Sequence, residues 1–285
     1  MRNCIIEGLK TVRRHFGWSV ESMVVWLDFH SIPQNQACSS SMQAQAISSL
    51  PIYVSLSSIF VVVAPKATHA DTGVTCDVET YKRRLWCRVE LFSHYFRRGR
   101  DAMYLLEQDD VKQPAELASM EKSWLLDALF VFEGDCICCF RKHDGMKCDK
   151  PFVRDLMLGL YAEVLNFKGK ADSNQSRRAC EIYESIAQQK DRVFPMAFST
   201  EITVKTSIAR KKISHQQLKF FKDILQELED LAATTVRRRR ISSEPLSSKI
   251  PLAKILTMMF HARRSVRDGA VHSRNGSHGK RRGHE

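Results

Sequence analysis

The stretch Tyr81–Arg98, YKRRLWCRVELFSHYFRR, decides how the rest of this chain must fold. Apolar residues recur in it at steps of three and four, the spacing of one face of an α-helix. They are Leu85, Val89, Phe92 and Phe96. The pattern therefore predicts a single amphipathic helix over residues 81–98, with its apolar stripe facing a core and its end at Gly99.

Glu90 is the one acidic residue in this predicted helix. It lies four residues after Trp86 and three after Cys87, so the three side chains are neighbours on adjacent turns. A carboxylate bordered by apolar groups is partly desolvated, which suits general acid/base chemistry or binding of a polar ligand group. The alternative is a solvated face, on which Glu90 pairs with Arg83, Arg84 or Arg97.

Charge and cysteine content limit the class of protein. The net charge of +12 is concentrated after residue 236, where 13 Lys/Arg stand against 3 Asp/Glu, while the preceding residues carry 31 against 29. No apolar run approaches the roughly 18 residues that a membrane span requires. Nine cysteines, without a secretory signal, indicate a reducing compartment and free thiols. We therefore expect a cytoplasmic protein, with the basic tail as a possible nuclear address.

Helical and strand-like patterns alternate along the first 107 residues. Helices are predicted at Asn3–Phe16 and Met42–Ser57, the second interrupted at Pro51, and strands at Ser22–Phe29, Ser58–Ala64 and Asp101–Glu107. The strands are apolar throughout, which is typical of parallel strands covered on both faces. The order predicts an α/β fold, a parallel sheet with helices on both faces.

Polar residues follow the first predicted strand. Asp28 closes it, and Ser31 and Gln34 lie in the next loop. Open α/β sheets bind ligands at the carboxyl ends of their strands. We therefore expect these side chains to gather at the sheet rim with the 66–80 loop and Glu90.

Two motifs in this order resemble the TIR and heterokaryon-incompatibility (HET) superfamily. Trp26-Leu27-Asp28, with Ile32 and Gln34, is similar to the HET element W-I-D-x-x-C-I-x-Q. The run WCRVEL, residues 86–91, is similar to the W-C-x-x-E-L box of TIR domains. The resemblance covers residues 20–107 and implies a flavodoxin-like parallel sheet.

The resemblance also implies a chemistry. In TIR domains the glutamate of this box can support cleavage of the nicotinamide–ribose bond of NAD, and Glu90 is the matching residue. NAD would then be a substrate, with no cofactor. The residues expected to contact it are Asp28, Ser31, Gln34, Trp86 and Cys87. The alternative is a catalytically inactive signalling module, in immunity for example, that assembles with itself or with other TIR/HET-like domains.

One feature departs from the TIR pattern. TIR domains open with a central strand, which would lie between the strands predicted here at 24–28 and 59–63. This chain opens with a helix instead. Without the central strand, two buried strands face a gap, so we expect either an N-terminally incomplete domain or rearranged pairing.

A cluster of soft metal ligands occupies residues 136–148, CICCFRKHDGMKC. Its members are Cys136, Cys138, Cys139, His143 and Cys148. They are numerous enough for one tetrahedral zinc. Two separated C-x-x-C pairs are absent, however, and adjacent cysteines on a strand point in opposite directions. The prediction is therefore ordinary buried thiols and no metal.

The remaining chain is divided into an extension over 108–170, a helical region over 171–235 and a tail over 236–285. Helices are predicted at Pro114–Asp127, Pro151–Phe167, Arg178–Gln189 and Ser214–Ala233, and a strand pair at Ala128–Phe140. The Ser214/Gln217 capping box starts the last helix.

The tail begins at Arg237 with four arginines, and its composition predicts disorder. Ser242, which follows Arg239-Arg240-Ile241, resembles a phosphorylation site for kinases that prefer basic residues. The tail suits binding to nucleic acid or acidic lipid, and it suits a purely solubilising role equally well.

Overall fold

The structure is a computed structural model of the chain. It describes residues 2–27, 32, 42, 45–47, 49–68, 73–107, 116–140, 148–168, 170, 173–204, 212–219 and 221–241. The chain divides into two compact units, Met1–Leu228 and Glu229–Glu285. The predicted boundaries at 107 and 170 stay predictions. No helix in the described ranges is both long and apolar enough to cross a bilayer.

A small mixed sheet forms the centre of the first unit, in an α/β arrangement. Strand β1 (Phe60–Val63) runs parallel to β4 (Met103–Glu107), and β4 pairs antiparallel with β5 (Glu116–Ser119). The predicted strands at 58–64 and 101–107 are confirmed, as is their parallel pairing. The sheet is not wholly parallel, because β5 lies in the first part of the segment predicted as the helix Pro114–Asp127.

The predicted first strand, Ser22–Phe29, is wrong over its described part. Ser22 ends a short 3-10 helix, Val20–Ser22, and residues 23–27 belong to no strand. Val24 is 99% exposed, whereas the apolar run predicted a strand covered on both faces. An apolar run does not form a strand by itself, because a strand is stabilised by pairing with a neighbour, and no described strand pairs with residues 23–27. Residues 28 and 29 lie outside the described ranges.

Helices cover both faces of the sheet. Helix α1 (Arg2–Phe16) confirms the predicted N-terminal helix and packs on one face, where the Phe16 ring lies 5.6 Å from that of Tyr104 in β4. The other face meets the predicted central helix, where the ring of Phe60 lies 5.5 Å from that of His94. Helix α2 (Leu50–Leu56) starts beside Pro51, as expected for a proline that restarts a helix.

The predicted single helix over 81–98 is two helices, α3 (Val78–Arg83) and α4 (Leu85–Arg98). Arg84 between them is extended, with φ −74° and ψ 130°. The break admits a distant segment, because the Leu85 N–H donates to the Asp135 carbonyl at 3.0 Å and the Asp135 N–H donates to the Arg83 carbonyl. Arg88 braces the junction by donating to the carbonyls of Lys82 and Phe130, both at 2.8 Å.

Helix α4 is the most enclosed element of the described chain. All six residues from Leu91 to Phe96 are buried, and so are Leu85, Cys87, Val89 and Glu90. Two polar side chains in it contact backbone carbonyls. Ser93 donates to Val89 at 2.7 Å, and the Nδ1 of His94 lies 3.0 Å from the carbonyl oxygen of Val54 in α2.

The second half of the unit is mainly helical. The helices are α5 (Lys122–Asp127), α6 (Ile137–Phe140), α7 (Lys150–Lys168), α8 (Asn174–Gln188), α9 (Lys190–Val193) and α10 (Lys222–Ile241). One hairpin lies in this half, β6 (Ala197–Val204) with β7 (Lys212–Lys219), whereas a second, β2 (Ala67–Thr68) with β3 (Thr75–Cys76), precedes α3. Helices α7 and α8 confirm the predicted helices at 151–167 and 178–189.

Three other predictions for this half are wrong in part. Residues 114–127 hold β5 and α5 instead of one helix, because β5 extends the sheet. The predicted strand pair at 128–140 is a turn, a 3-10 helix at Val131–Glu133 and α6. Ser214 lies in β7, where pairing with β6 overrides its capping box, and the helix begins at Lys222. That helix continues to Ile241, into the predicted disordered tail.

The Gly134 crossing gives the first testable prediction. A Cβ at Gly134 would lie 2.9 Å from backbone atoms of Leu85, which cannot move without disturbing α4. We expect Gly134→Ala to lower the free energy of unfolding by about 1–3 kcal/mol, as overpacking does. Gly159→Ala is the matched control, because no atom lies within 4 Å of its added Cβ in α7.

Urea denaturation of both variants measures this difference. The control should gain roughly 0.5–1 kcal/mol, because alanine is the better helix former. Equal stabilities for the two variants would contradict the close crossing.

His94 gives a prediction for pH. Burial lowers the pKa of His94, and Arg98 lowers it further, against hydrogen bonding to the carbonyls of Val54 and Ala102. In the folded chain His94 therefore stays neutral at a pH just below 6.5, whereas in the unfolded chain it is protonated below its ordinary pKa of about 6.5. Stability contributed by the neutral ring is present above that pH and is lost as the pH falls below it.

We expect His94→Asn to flatten the fall in unfolding free energy between pH 7 and pH 5, where one proton accounts for up to about 1.4 kcal/mol per pH unit. Chemical denaturation at several pH values measures the slope. An identical slope in wild type and variant would show that His94 does not couple to folding.

Candidate functional site

Glu90 lies in the second turn of α4 and is 7% exposed. The interpretation that it lies on a solvated face is therefore wrong. Arg83 lies 3.8 Å from Asp135 and Arg97 lies 3.7 Å from Glu163. A buried carboxylate retained in a core helix is costly, and such groups are concentrated at functional sites.

Tyr81 and Cys87 share the environment of Glu90. Tyr81 comes from α3, on the other side of the break at Arg84, and Cys87 is buried one turn before Glu90. Burial raises the pKa of the Tyr81 phenol well above its ordinary range, and the neighbouring Cys87 and Glu90 raise it further. Tyr81 therefore keeps its phenolic proton, and it interacts with both Cys87 and Glu90.

Trp86 is half-buried and points to a different partner. Its Nε1 donates to Oδ2 of Asp149 at 3.2 Å, at the start of α7. Asp149 also caps α7, because its carbonyl accepts from the N–H groups of Phe152 and Val153. Trp86 therefore joins the beginning of α4 to the beginning of α7.

The other predicted NAD contacts cannot be placed beside Glu90. Asp28, Ser31 and Gln34 lie outside the described residues, as do His143 and Ser242. Of the predicted set, the structure brings together Glu90, Trp86 and Cys87, all from α4.

Three thiols of the cysteine cluster do converge. The Sγ atoms of Cys136, Cys138 and Cys139 all lie within 4.8 Å of one another, so this group could hold a metal ion. The Cys136 and Cys138 sulfurs are 3.1 Å apart, and Cys148 returns to lie 3.9 Å from Cys139. The prediction that adjacent cysteines point in opposite directions is wrong, because residues 137–140 form a helical turn and not a strand.

Hydrogen bonding makes Cys138 the most acidic thiol of the cluster. Donation from Cys136 and Cys148, and from the backbone N–H of Asp149, lowers the pKa of Cys138. Donation to Cys138, together with burial, raises the pKa of Cys136 and of Cys148. The four sulfurs therefore form one connected polar group.

An apolar cavity that sequence reasoning missed lies beside β1. It has a volume of about 750 Å³ and is enclosed by α1, residues 22–27 and the chain from Tyr53 to Val63. Glu90 does not line it, and none of the described residues that line it carries a charge. The signal was present in the apolar run over residues 22–27, which lines the cavity together with α1 and with Val61 and Val63 of β1.

Comparison of the chain with families of known proteins, with curated proteins and with solved structures found no match. The family and the activity implied by the two motifs are therefore taken up as proposals.

Proposed function

We propose that this chain is a signalling module that self-associates through the open edge of its sheet, along β1. The observation that supports this best is the coincidence of an edge strand and an apolar cavity. Strand β1 pairs with β4 on one side, and no strand among the described residues pairs with its other side. Unpaired edges bind further strands.

Exposed apolar side chains surround this edge. Val24 is 99% exposed, Leu56 65% and Tyr53 48%, and all three line the cavity. Contiguous exposed apolar surface marks interaction sites in soluble domains. The absence of charge in the lining favours a protein partner over nucleic acid or a lipid headgroup.

A second copy of the chain is the partner that this edge fits most directly. The β1 sequence, FVVV, is apolar and of high strand propensity, so it is complementary to itself. A twofold axis beside β1 would pair the two strands antiparallel and would bury the valines of both copies. Self-association is also what the TIR/HET resemblance implies.

Replacing one exposed cavity residue tests this proposal. We expect the wild type to dimerise and Leu56→Glu to weaken the dimer at least about 10-fold, because the carboxylate would be desolvated in the interface. The matched control is Val74→Glu, which changes a similarly exposed residue, 58% against 65%, outside the cavity.

Sedimentation equilibrium over a range of concentrations measures the association. A monomeric wild type, or equal weakening by both substitutions, would exclude the β1 edge as the interface. A monomeric wild type that binds a different protein chain at this edge would likewise exclude self-association.

Glu90 supports a second candidate, NAD cleavage. The residue is 7% exposed, and its carboxyl group interacts electrostatically with the Tyr81 phenol. A carboxylate in such a setting stabilises the oxocarbenium-like state formed when a glycosidic bond breaks. In this proposal Trp86 and Cys87 contact the substrate from α4, with Asp28, Ser31 and Gln34 supplied by the loop after residue 27, on a flavodoxin-like TIR fold.

Nicotinamide release from NAD tests this candidate. We expect release by wild type and a loss of at least about 100-fold in Glu90→Gln, which removes the charge and keeps the shape. Glu163→Gln, in α7, is the control acid and should retain the rate. Circular dichroism verifies the folding of each protein. No release from a folded wild type, or equal rates in both variants, would remove the enzymatic proposal.

The basic tail is a further region with proposed roles. Binding to nucleic acid or acidic lipid, nuclear targeting and phosphorylation of Ser242 rest on its sequence, and residues 242–285 lie outside the described part.

A further inference from the structure

We propose that Cys136, Cys138, Cys139 and Cys148 form a structural zinc site that fastens the start of α7 to the start of α4. Three of these sulfurs lie within 4.8 Å of one another, and the fourth lies 3.9 Å from Cys139. The inference is independent of the NAD and self-association proposals, because it uses neither Glu90 nor the β1 edge.

The spacing of the sulfurs fits a tetrahedral zinc. A Zn–S bond of about 2.3 Å places neighbouring ligands of a tetrahedron about 3.8 Å apart. The 3.9 Å between Cys139 and Cys148 matches that value, whereas the 3.1 Å between Cys136 and Cys138 is about 0.7 Å shorter. Zinc binding would therefore move the Cys136 and Cys138 sulfurs apart and draw Cys148 into the group of three. An iron–sulfur cluster places sulfide-bridged irons between its thiolates and so needs them further apart.

The surroundings of the sulfurs resemble a second coordination shell. The backbone N–H of Asp149 donates to the Cys138 sulfur at 3.3 Å, a contact that stabilises a metal-bound thiolate. Cys136 and Cys138 are 8% and 4% exposed, so they are shielded from competing water. Four thiolates on Zn²⁺ leave a charge of about −2.

The placement indicates a structural role. Cys136 follows Asp135, whose backbone fills the break between α3 and α4. Cys148 precedes Asp149, whose side chain accepts from Trp86 of α4. A zinc bound by all four cysteines would therefore link Cys139 to Cys148 and hold the start of α7 to the start of α4. It would leave no open coordination position for catalysis.

Metal content of the purified full chain tests the site. We expect one zinc per chain by elemental analysis, and Co²⁺ exchanged into the site should show the visible absorption of a tetrahedral thiolate complex. Cys148→Ser should weaken zinc binding by more than the 10- to 100-fold typical of losing an outer-shell partner. Cys76→Ser is the matched control, because Cys76 is a half-buried thiol in β3, outside the cluster.

A measurement on the wild type keeps the proposal testable if the variants fail to fold. Chelation should lower the melting temperature and should release four thiols to a thiol reagent per zinc removed. A folded wild type without zinc whose four thiols are free, or joined as disulfides, would overturn the proposal. So would bound iron with sulfide, or full zinc affinity in Cys148→Ser.

Discussion

The enclosure of helix α4 is the constraint on which the rest of the described structure depends. Residues Leu91–Phe96 are buried without interruption, so this helix meets protein on every side in its second half. Several of its polar groups find partners inside the protein, some of them on other elements. His94 lies against the Val54 carbonyl of α2, and Arg98 donates to the Leu56 carbonyl of the same helix. The sheet packs on one side of α4, and α7 and α8 pack on another.

The beginning of α4 carries that constraint into the proposed functional regions. Because Arg84 is extended, the Gly134–Asp135 backbone can cross between α3 and α4. This crossing fixes the position of the next residue, Cys136. Trp86, which lies two residues after Arg84, donates to Asp149 and so fixes the position of the adjacent Cys148. The thiol cluster and the Glu90 environment are therefore organised by the same junction. A change that straightens α3 and α4 into one helix would displace both.

Hydrophobic periodicity predicted the elements whose identity is decided locally. Helices α1 and α7 and strands β1 and β4 follow from their own residues, because each buries a face that the pattern itself marks. Periodicity failed where a distant partner decides. The break at Arg84 depends on Asp135, and residues 23–27 pair with no described strand although their apolar run favours one. The thiols converge only because residues 137–140 turn helically. Glu90 was identified from spacing, but its burial depends on elements packed around α4 that spacing cannot reveal.

Native-state hydrogen exchange measures the central claim most directly. If α4 is the buried helix on which the first unit is built, its amide hydrogens exchange only through global unfolding. Their exchange rates are then the slowest in the first unit. Peptides covering Leu85–Arg98 should then remain protected after those of α1, α7 and α8 have exchanged. Exchange of the α4 peptides before those of the surrounding helices would contradict this account.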